Sequence, residues 1–494
     1  MTYRAHFAFL PLLLLGLYPC EDTGPVQSAE DMGPPNPGRD MGMPIVLEEH
    51  SYTPDGCSYE VSTPLVVSFE RGGEDVGADA DPIHVHVGVS DDTTSTFNVN
   101  WSTDLDTKVS TILYGTDQAA VSGADAAGTD VMEASGHTFV YETTVESLID
   151  SGFVRIHEVH VCGLDPATTY YYKVGAPGAW SPVRSYSTAP SLGSTDPWSF
   201  GATGDSRNNV EDAWTLSQQR MVDAGVDMEV FSGDAVFLGT LQVNWNDFFS
   251  ASVDGFTISD ALGTFPIFMS NGNHDNLSTN YLAQFAMPQD VSAEERGQGE
   301  EWYSFDYANA HFLMLNDTVA DEGILNGAQA EWMRADLAAV DRSVTPWVFA
   351  VHHRPFYTCL STHRPDQNLR GAWQPIFDEY QVDIVFTGHN HVYERSNPIR
   401  GLEGGQGVLA TSGANGVPEI GNPGTGSGDP SGTLYLVAAG VGAPIYDVSE
   451  ECPFTNTAFS QTNYAVVEIE DRTITITARN VLTDAVIDQF SYVK

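Results

Sequence analysis

From about residue 82, irregular polar sequence gives way to a regular alternation of apolar and polar side chains. Segments 84–89 and 97–101 show this period of two, which places successive side chains of a strand on opposite faces. Further short segments of the same kind, separated by turn residues, follow at 111–114, 138–144, 155–161, 170–174 and 183–187. Short alternating strands at this spacing predict a β-sandwich of about 110 residues.

A linker of Ser, Pro, Gly and Asp at 190–197 precedes a different rhythm, in which strands alternate with helices. The predicted strands are 198–203, 228–232, 265–270, 302–307, 311–315, 346–351 and 382–387, and the predicted helices are 210–224, 328–340 and 373–380. Residues 401–432, rich in Gly, Pro, Ser and Asn, are predicted to form a long loop, and β-structure ends the chain. This order predicts a layered α/β or α+β domain.

The amino terminus has the pattern of a targeting segment. Arg4 and His6 precede an apolar run at 7–17, which is too short to span a membrane. We therefore expect a signal segment at 1–20, no transmembrane helix, and export of the protein to the periplasm, the cell surface or the medium. Cys20 is a candidate for a lipid anchor, and free secretion is the alternative. Residues 21–80 are expected to form a disordered tether and an N-terminal extension.

Four further cysteines, Cys57, Cys162, Cys359 and Cys452, are expected to meet oxidising conditions in an exported protein. Four cysteines allow three pairings. We favour Cys57–Cys162 and Cys359–Cys452, because each pair then stays near one domain.

The chain is strongly acidic, with 67 Asp and Glu against 20 Lys and Arg and a formal net charge of −47. Such a surface repels nucleic acid and anionic membranes, so neither is an expected partner. An acidic protein that acts on phosphate needs a local positive site, and bound metal ions would supply one.

Residue types that bind metals follow directly after the predicted strands. The segments are Gly204-Asp205, Gly233-Asp234, Asn271-Gly272-Asn273-His274-Asp275, His352-His353-Arg354-Pro355 and Gly388-His389-Asn390-His391. Ligands gather at the carboxyl ends of strands in folds of this type. Imidazole, carboxylate and amide oxygen suit ions such as Fe, Zn and Mn, and a carboxylate can bridge two of them. Each segment alone is a weak signal, but their order predicts a binuclear metal site.

In this order, these motifs resemble the calcineurin-like metallophosphoesterases. The runs 388–396 and 163–175 more specifically resemble the purple acid phosphatases, whose larger members carry a fibronectin-like domain before the catalytic domain. The resemblance covers roughly residues 80–494. It implies an α+β protein with an all-β, fibronectin III-like sandwich at 81–190. A four-layer α/β/β/α metallophosphoesterase domain with a C-terminal β-segment would follow at 198–494.

The resemblance also implies a role for individual residues. The implied metal ligands are Asp205 and His391 for the first ion, Asp234 as the bridge, and Asn273, His353 and His389 for the second ion. His353 is preferred over His352 because the family's ligand stands two residues before the proline. His274 and His363 match histidines that contact phosphate and protonate the leaving group.

The chain departs from the family pattern at two positions. Purple enzymes have a tyrosine three residues after the bridging aspartate, where this chain has Phe237, so no tyrosinate–Fe(III) chromophore is expected. Many other metallophosphoesterases have a histidine two residues after the first aspartate, where this chain has Arg207. The first ion thus lacks one expected protein ligand. We expect Arg207 to contact the substrate, and an ion pair with one of the many acids is the alternative.

The implied function is acid phosphatase-like hydrolysis of phosphate monoesters by a bridging metal hydroxide, with His274, His363 and Arg207 as catalytic residues. A phosphodiesterase or nucleotidase on the same site is the first alternative. The second is a cell-surface binding protein with a degenerate phosphoesterase domain, for which the missing ligand is the only support.

Overall fold

The structure, a computed structural model, describes residues 46–143, 152–289, 300–318, 327–360, 363–403, 406–409, 432–448, 452 and 454–494. The predicted signal segment, Cys20 and residues 21–45 of the predicted tether lie outside these ranges. Among the described residues, no helix combines the length and the apolar character needed to cross a membrane.

The first part of the described chain is built from short strands. These are β1 (Ser51–Tyr52), β2 (Val61–Ser62), β3 (Ser68–Arg71), β4 (Ile83–Gly88), β5 (Thr96–Thr103), β6 (Thr111–Gly115), β7 (Met132–Ser135), β8 (His137–Glu142), β9 (Phe153–Cys162), β10 (Thr169–Ala176), β11 (Ala179–Trp180) and β12 (Arg184–Ser187), with one short helix, α1 (Gln118–Gly123). One sheet has the order β3-β8-β9-β5-β4, and a second has the order β11-β10-β6-β7 with β12 beside β10. Buried rings of the two sheets meet between them, as where Phe97 stacks on Tyr186 at 4.8 Å. The predicted β-sandwich is confirmed.

Strands of this sandwich begin earlier than residue 81, the start expected from the sequence. β3 pairs antiparallel with β8, from Ser68 opposite Val140 to Arg71 opposite His137. The Cys57–Cys162 disulfide links the N-terminal extension to the end of β9, as predicted. The described part of the extension is therefore structured, because strand pairing and a covalent bond hold it to the sandwich.

The second part of the chain contains longer strands and most of the helices. The strands are β13 (Trp198–Thr203), β14 (Met228–Phe231), β15 (Ser252–Val253), β16 (Phe256–Thr257), β17 (Ile267–Met269), β18 (Tyr303–Tyr307), β19 (Ala310–Met314), β20 (Trp347–His352), β21 (Ile384–Thr387), β22 (Tyr393–Ser396), β23 (Ile399–Glu403), β24 (Gln406–Leu409), β25 (Leu434–Ala438), β26 (Thr455–Phe459), β27 (Asn463–Glu470), β28 (Thr473–Asn480) and β29 (Val486–Val493). The helices are a 3₁₀ turn at Val210–Asp212, α2 (Ala213–Ala224), α3 (Gln242–Ser250), α4 (Ile258–Leu262), α5 (Thr279–Gln284), α6 (Gln329–Ala339) and α7 (Gln367–Tyr380).

These strands form two large mixed sheets that pack face to face. The first has the order β17-β14-β13-β27-β28-β29, and the second has the order β18-β19-β20-β21-β25-β22-β26. Strands β17, β14 and β13 are parallel, and so are β19, β20, β21 and β25. The strand ends that carry the candidate ligands therefore belong to two sheets, as the four-layer architecture implied by the resemblance requires.

Phenylalanine rings fill the space between the two sheets. Phe200 on β13 lies 5.3, 5.6 and 5.7 Å from the rings of Phe312, Phe349 and Phe386 on the second sheet. On the outer faces, Trp214 of α2 packs against Phe231 of β14, and the buried residues of α6 and α7 pack on the second sheet. The four-layer α/β/β/α arrangement is confirmed, and burial of these rings is the main force that holds the layers together.

The prediction of a long loop at 401–432 is wrong for residues 401–403 and 406–409, which belong to strands β23 and β24. β23 and β24 pair antiparallel, with Glu403 opposite Gln406. Alternation was obscured here by the glycines. Residues 410–431 lie outside the described part of the chain. The second predicted disulfide, Cys359–Cys452, is confirmed.

Buried polar contacts join the sandwich to the α/β layers. Tyr172 donates a hydrogen bond to the carbonyl of Gly263 at 2.7 Å, and Thr93 donates to the carbonyl of Asp306 at 2.7 Å. Nε2 of His86 donates to the carbonyl of Gln284 at 2.6 Å. Because such bonds need a fixed geometry, the sandwich supports the α/β layers as a rigid scaffold.

Candidate metal centre

The six residues implied as metal ligands all follow strand ends at one edge of the two sheets. Asp205 follows β13, Asp234 follows β14 and Asn273 follows β17 in the first sheet. His353 follows β20, and His389 and His391 follow β21, in the second sheet. Because the strands within each group are parallel, their carboxyl ends meet at the same edge.

Three of these residues have a left-handed backbone. Their φ values are 59° at Asp205, 60° at Asp234 and 66° at His389. This conformation is unfavourable for residues with a Cβ and costs about 1–3 kcal/mol each. Strain of this kind persists where the surrounding structure imposes it, and it is typical of functional sites.

Glycines permit the close approach of the loops. A Cβ at Gly272 would lie 2.1 Å from the backbone nitrogen of Asp234, and a Cβ at Gly388 would lie 2.6 Å from Oδ2 of Asp205. Neither glycine has a positive φ, so absence of a side chain, and not backbone freedom, is what these positions require.

The residues implied for the second ion converge around Asn273. Its Oδ1 lies 3.1 Å from Nε2 of His353 and 3.0 Å from Nδ1 of His389. Nε2 of His353 is also 3.3 Å from Oδ1 of Asp234. Nδ1 of His353 donates to the carbonyl of Ser232 at 2.8 Å, which fixes the ring and leaves Nε2 directed at the centre.

The residues implied for the first ion have a similar arrangement. Nε2 of His391 lies 3.2 Å from Oδ1 of Asp205. Nδ1 of His391 donates to the carbonyl of Pro444 at 2.7 Å, so Nε2 carries the lone pair that faces the centre. The backbone nitrogen of His389 donates to Oδ2 of Asp205 at 2.8 Å, which leaves Oδ1 free to face the same point.

The donor set fits a metal. Asp205, Asp234 and His353 offer ligand atoms within 4.8 Å of one another. Oδ1 of Asp205 and Oδ2 of Asp234 are buried and accept no hydrogen bond. A buried carboxylate oxygen without a partner is costly unless a cation offsets its charge. The two orphaned oxygens therefore point to cation binding.

The charges at the centre are strongly coupled. Burial lowers the pKa of His353, but the nearby carboxylates of Asp234 and Asp205 outweigh it and raise the pKa to about 10. For Asp234, burial raises the pKa, but His353 and His274 bring it well below its usual range. The centre thus favours positive charge, which is the electrostatic condition for metal binding.

Arg207 lies at the first-ion side of the centre. Its Nη1 donates to Nε2 of His274, and its Nη2 donates to Nε2 of His391 at 2.9 Å. Its Nε is 3.6 Å from Oδ2 of Asp234. The guanidinium therefore uses the lone pair of His391 that an ion at this position would need.

His274 and His363 lie on different sides of the centre. His274 donates from Nδ1 to the carbonyl of Phe237 at 2.7 Å, and the Phe237 ring is 5.6 Å from its own. His363 faces His389, with ring centroids 5.2 Å apart, and stacks on Tyr446 at 4.7 Å.

Sequence reasoning missed Tyr446, which completes the wall of the site. Its ring also stacks on His391 at 4.2 Å. Burial raises the pKa of its hydroxyl, although the nearby Arg207 guanidinium lowers it. The backbone nitrogen of Ala443, three residues earlier, donates to the carbonyl of Asp205 at 2.8 Å. No pattern in the sequence marks this loop, because it contributes a ring and backbone groups and not a run of typical ligands.

Asp275 was also missed as an organising residue, although it belongs to the Asn-His-Asp motif. Its Oδ2 accepts from the backbone nitrogens of Asp234 and Gly272, at 2.8 and 2.9 Å. Burial and the neighbouring Asp234 raise its pKa to about 7. Asp275 therefore ties the loop after β14 to the loop after β17.

His352 points away from the centre. Its Nδ1 lies 2.9 Å from Oδ2 of the buried Asp317, and its ring packs against Phe356 and Trp373. The strand alternation that buries His352 on one face of β20 places His353 on the other.

Comparison with known proteins gives two family matches. Residues 82–188 match the purple acid phosphatase N-terminal domain, and residues 199–393 match the calcineurin-like phosphoesterase. The chain therefore joins a purple acid phosphatase N-terminal domain to a calcineurin-like phosphoesterase domain.

Individual relatives agree with this assignment. Purple acid phosphatase 15 of Arabidopsis thaliana is 31% identical over 301 residues, which is 55% of each chain. The Fe(3+)-Zn(2+) purple acid phosphatase 12 of the same plant is 26% identical over 50% of this chain and 53% of its own. The chain spans about half the length of the first of these relatives.

Among solved structures, the purple acid phosphatase PPD1 from yellow lupin seeds has a TM-score of 0.66 at 17% identity. The alignment covers 84% of this chain and 75% of the lupin protein. At this identity the likeness shows the fold alone.

Proposed function

We propose that the protein hydrolyses phosphate monoesters with two metal ions bound at this centre. The observation that carries the proposal is the pair of buried carboxylate oxygens on Asp205 and Asp234 that accept no hydrogen bond, beside Nε2 of His353. Asp234 lies close to both Asp205 and His353, which supports a bridging role for its carboxylate. Asn273, His389 and His391 would complete the ligand set.

Two bound ions would activate a water molecule and offset the negative charge of the phosphate. Arg207 would then grip the phosphate, because a guanidinium can donate two parallel hydrogen bonds to phosphoryl oxygens. The carbonyl of Phe237 holds His274 through Nδ1. Nε2 of His274, which accepts from Arg207, would face the phosphate once the guanidinium has turned to it. His274 or His363 would give a proton to the leaving alkoxide.

The choice of ions and the location are part of this proposal. The ligand types favour Fe, Zn or Mn, and the name of the relative purple acid phosphatase 12 specifies iron and zinc. Export is supported by the apolar run at 7–17 and by the two disulfides, which persist in oxidising compartments. Fractionation and labelling with a palmitate analogue would separate an anchor at Cys20 from free secretion.

The test is elemental analysis of the purified protein, with 4-nitrophenyl phosphate hydrolysis measured before and after chelation. We expect about two ions per chain, activity lost on chelation, and activity restored by the same ions. Asp234→Asn should lose both bound metal and activity, while Asp223→Asn, which changes an exposed carboxylate on α2, should lose neither. Metal-free protein that stays inactive after Fe, Zn or Mn is added would refute the proposal.

The same assay separates a monoesterase from a diesterase. Hydrolysis of bis(4-nitrophenyl) phosphate faster than of the monoester would show that the phosphodiesterase alternative is correct and that the monoester proposal is wrong.

A further inference from the structure

A cavity of about 560 Å³ opens beside the metal centre, between the loop after β13 and helix α3. Trp214 and Phe248 form its buried floor. Phe237 stands at its mouth with 48% of its surface exposed. A large apolar ring left in contact with water beside a reactive centre is a common feature of ligand sites.

The cavity is continuous with the candidate catalytic residues. Arg207 lines it, and the same guanidinium contacts His274 and His391. Phe237 also lines it, and its carbonyl holds His274 in place. A phosphate held at the centre by Arg207 would therefore have its ester group within reach of the cavity.

Charge in the cavity is unbalanced. Asp212 and Asp247 are exposed at its edge, and Arg207 is the one cationic side chain among the described residues that line it. Since Arg207 would grip the phosphate in the proposed function, no cation among these lining residues is left to receive a second anionic group. The protein as a whole adds to this repulsion, with its formal net charge of −47.

We propose that this cavity receives the alcohol part of the phosphate ester and selects a flat, uncharged group, so that aryl monophosphates are the preferred substrate class. The inference rests on the proposed function and deepens it. An aromatic ring would bury apolar surface against Phe237 and above Trp214. A leaving group that carries a carboxylate or a second phosphate would be repelled by Asp212 and Asp247.

The experiment compares kcat/KM for phenyl phosphate and 4-carboxyphenyl phosphate, which differ by one negative charge on the ring. The metal-loaded enzyme should prefer the uncharged substrate. The double variant Asp212→Asn/Asp247→Asn should reduce this preference by about tenfold, at roughly threefold for each charge removed at the cavity edge. Because wild type and variant hydrolyse the same pair of esters, the intrinsic reactivity of each ester cancels.

Two further variants make the test specific. Asp223→Asn removes a carboxylate that does not line the cavity, so the preference should stay at its wild-type value. Phe237→Ala should lower kcat/KM for phenyl phosphate by about tenfold more than for methyl phosphate, because only the aryl group contacts the ring.

An unchanged preference in the double variant, or an equal change in Asp223→Asn, would overturn this inference and leave the proposed function intact. Absence of hydrolysis of every ester by metal-loaded wild type would instead refute the proposed function, and this inference with it.

Discussion

Glu229 on β14 makes the stability of the candidate centre depend on pH. Its side chain is fully buried between β13 and α2. It accepts hydrogen bonds from Thr203 and, at 3.1 and 2.9 Å, from Gln218. Burial raises its pKa from 4.5 to about 7, although these hydrogen bonds lower it. The strands that it joins are the two that carry Asp205 and Asp234.

The raised pKa of Glu229 determines how the free energy of unfolding changes with pH. The folded protein holds the proton of Glu229 more tightly than the unfolded chain, so this group contributes stability below pH 4.5 that is lost as pH rises through 7. A shift from 4.5 to about 7 corresponds to about 3 kcal/mol. Since the side chain is fully buried, solvent screening does not reduce this value appreciably.

Glu229→Gln should remove this dependence, because the amide stays neutral and can still accept from Thr203. Urea unfolding with a chelator present, so that metal binding does not vary with pH, measures the free energy of unfolding at pH 4.5 and pH 8. The variant should gain about 3 kcal/mol relative to wild type across this range. Glu468→Gln, at an exposed position of β27, is the control and should follow wild type. If the free energy of unfolding changes equally between pH 4.5 and pH 8 in wild type and in Glu229→Gln, the reasoning is refuted.

Three further predictions concern the centre and the disulfides. Arg207→Ala should lower kcat/KM by roughly tenfold to a hundredfold through loss of a charged hydrogen-bonded contact, yet increase affinity for metal in equilibrium dialysis; unchanged kcat/KM and metal affinity would contradict both roles. Iron-loaded protein should lack a tyrosinate absorption band because Phe237 has no hydroxyl, whereas a band abolished by Tyr446→Phe would show that Tyr446 supplies the phenolate. Replacing Cys57 and Cys162 by alanine should lower the free energy of unfolding by about 4 kcal/mol, since the bond closes a loop over a sequence separation of 105; an unchanged urea midpoint would contradict this.

The alternation of apolar and polar residues was sufficient to predict most of the strands. The period of two identified segments such as 155–161, which lies within β9, because alternation reflects burial of one face. Pairing between strands is a long-range property that alternation does not encode. The sequence therefore could not show that β27, near the end of the chain, pairs with β13, or that β3 joins the sandwich.

At the candidate metal centre, too, local patterns could be read from the sequence, whereas long-range contacts could not. Asp205, Asp234 and His353 could be proposed from the sequence because each follows a strand, and the fold brings such ends together. Tyr446 could not, since it enters from a loop after β25 and acts through stacking on His391. Residues that position other side chains have no characteristic spacing in the sequence, because the packing of distant segments determines which residues they contact.

The two departures from the family pattern are connected in the structure. Arg207 and Phe237 stand where the resemblance implies a histidine ligand and a chromophore tyrosine, and both line the cavity beside the centre. Nε2 of His391 has one lone pair, so it cannot accept from Arg207 and bind an ion at the same time. A first ion held by His391 would therefore displace the guanidinium, and the cavity that Arg207 lines offers it space. In the proposed function, Arg207 would then reach the phosphate only after the first ion is bound, so ion binding and recognition of the ester would be coupled.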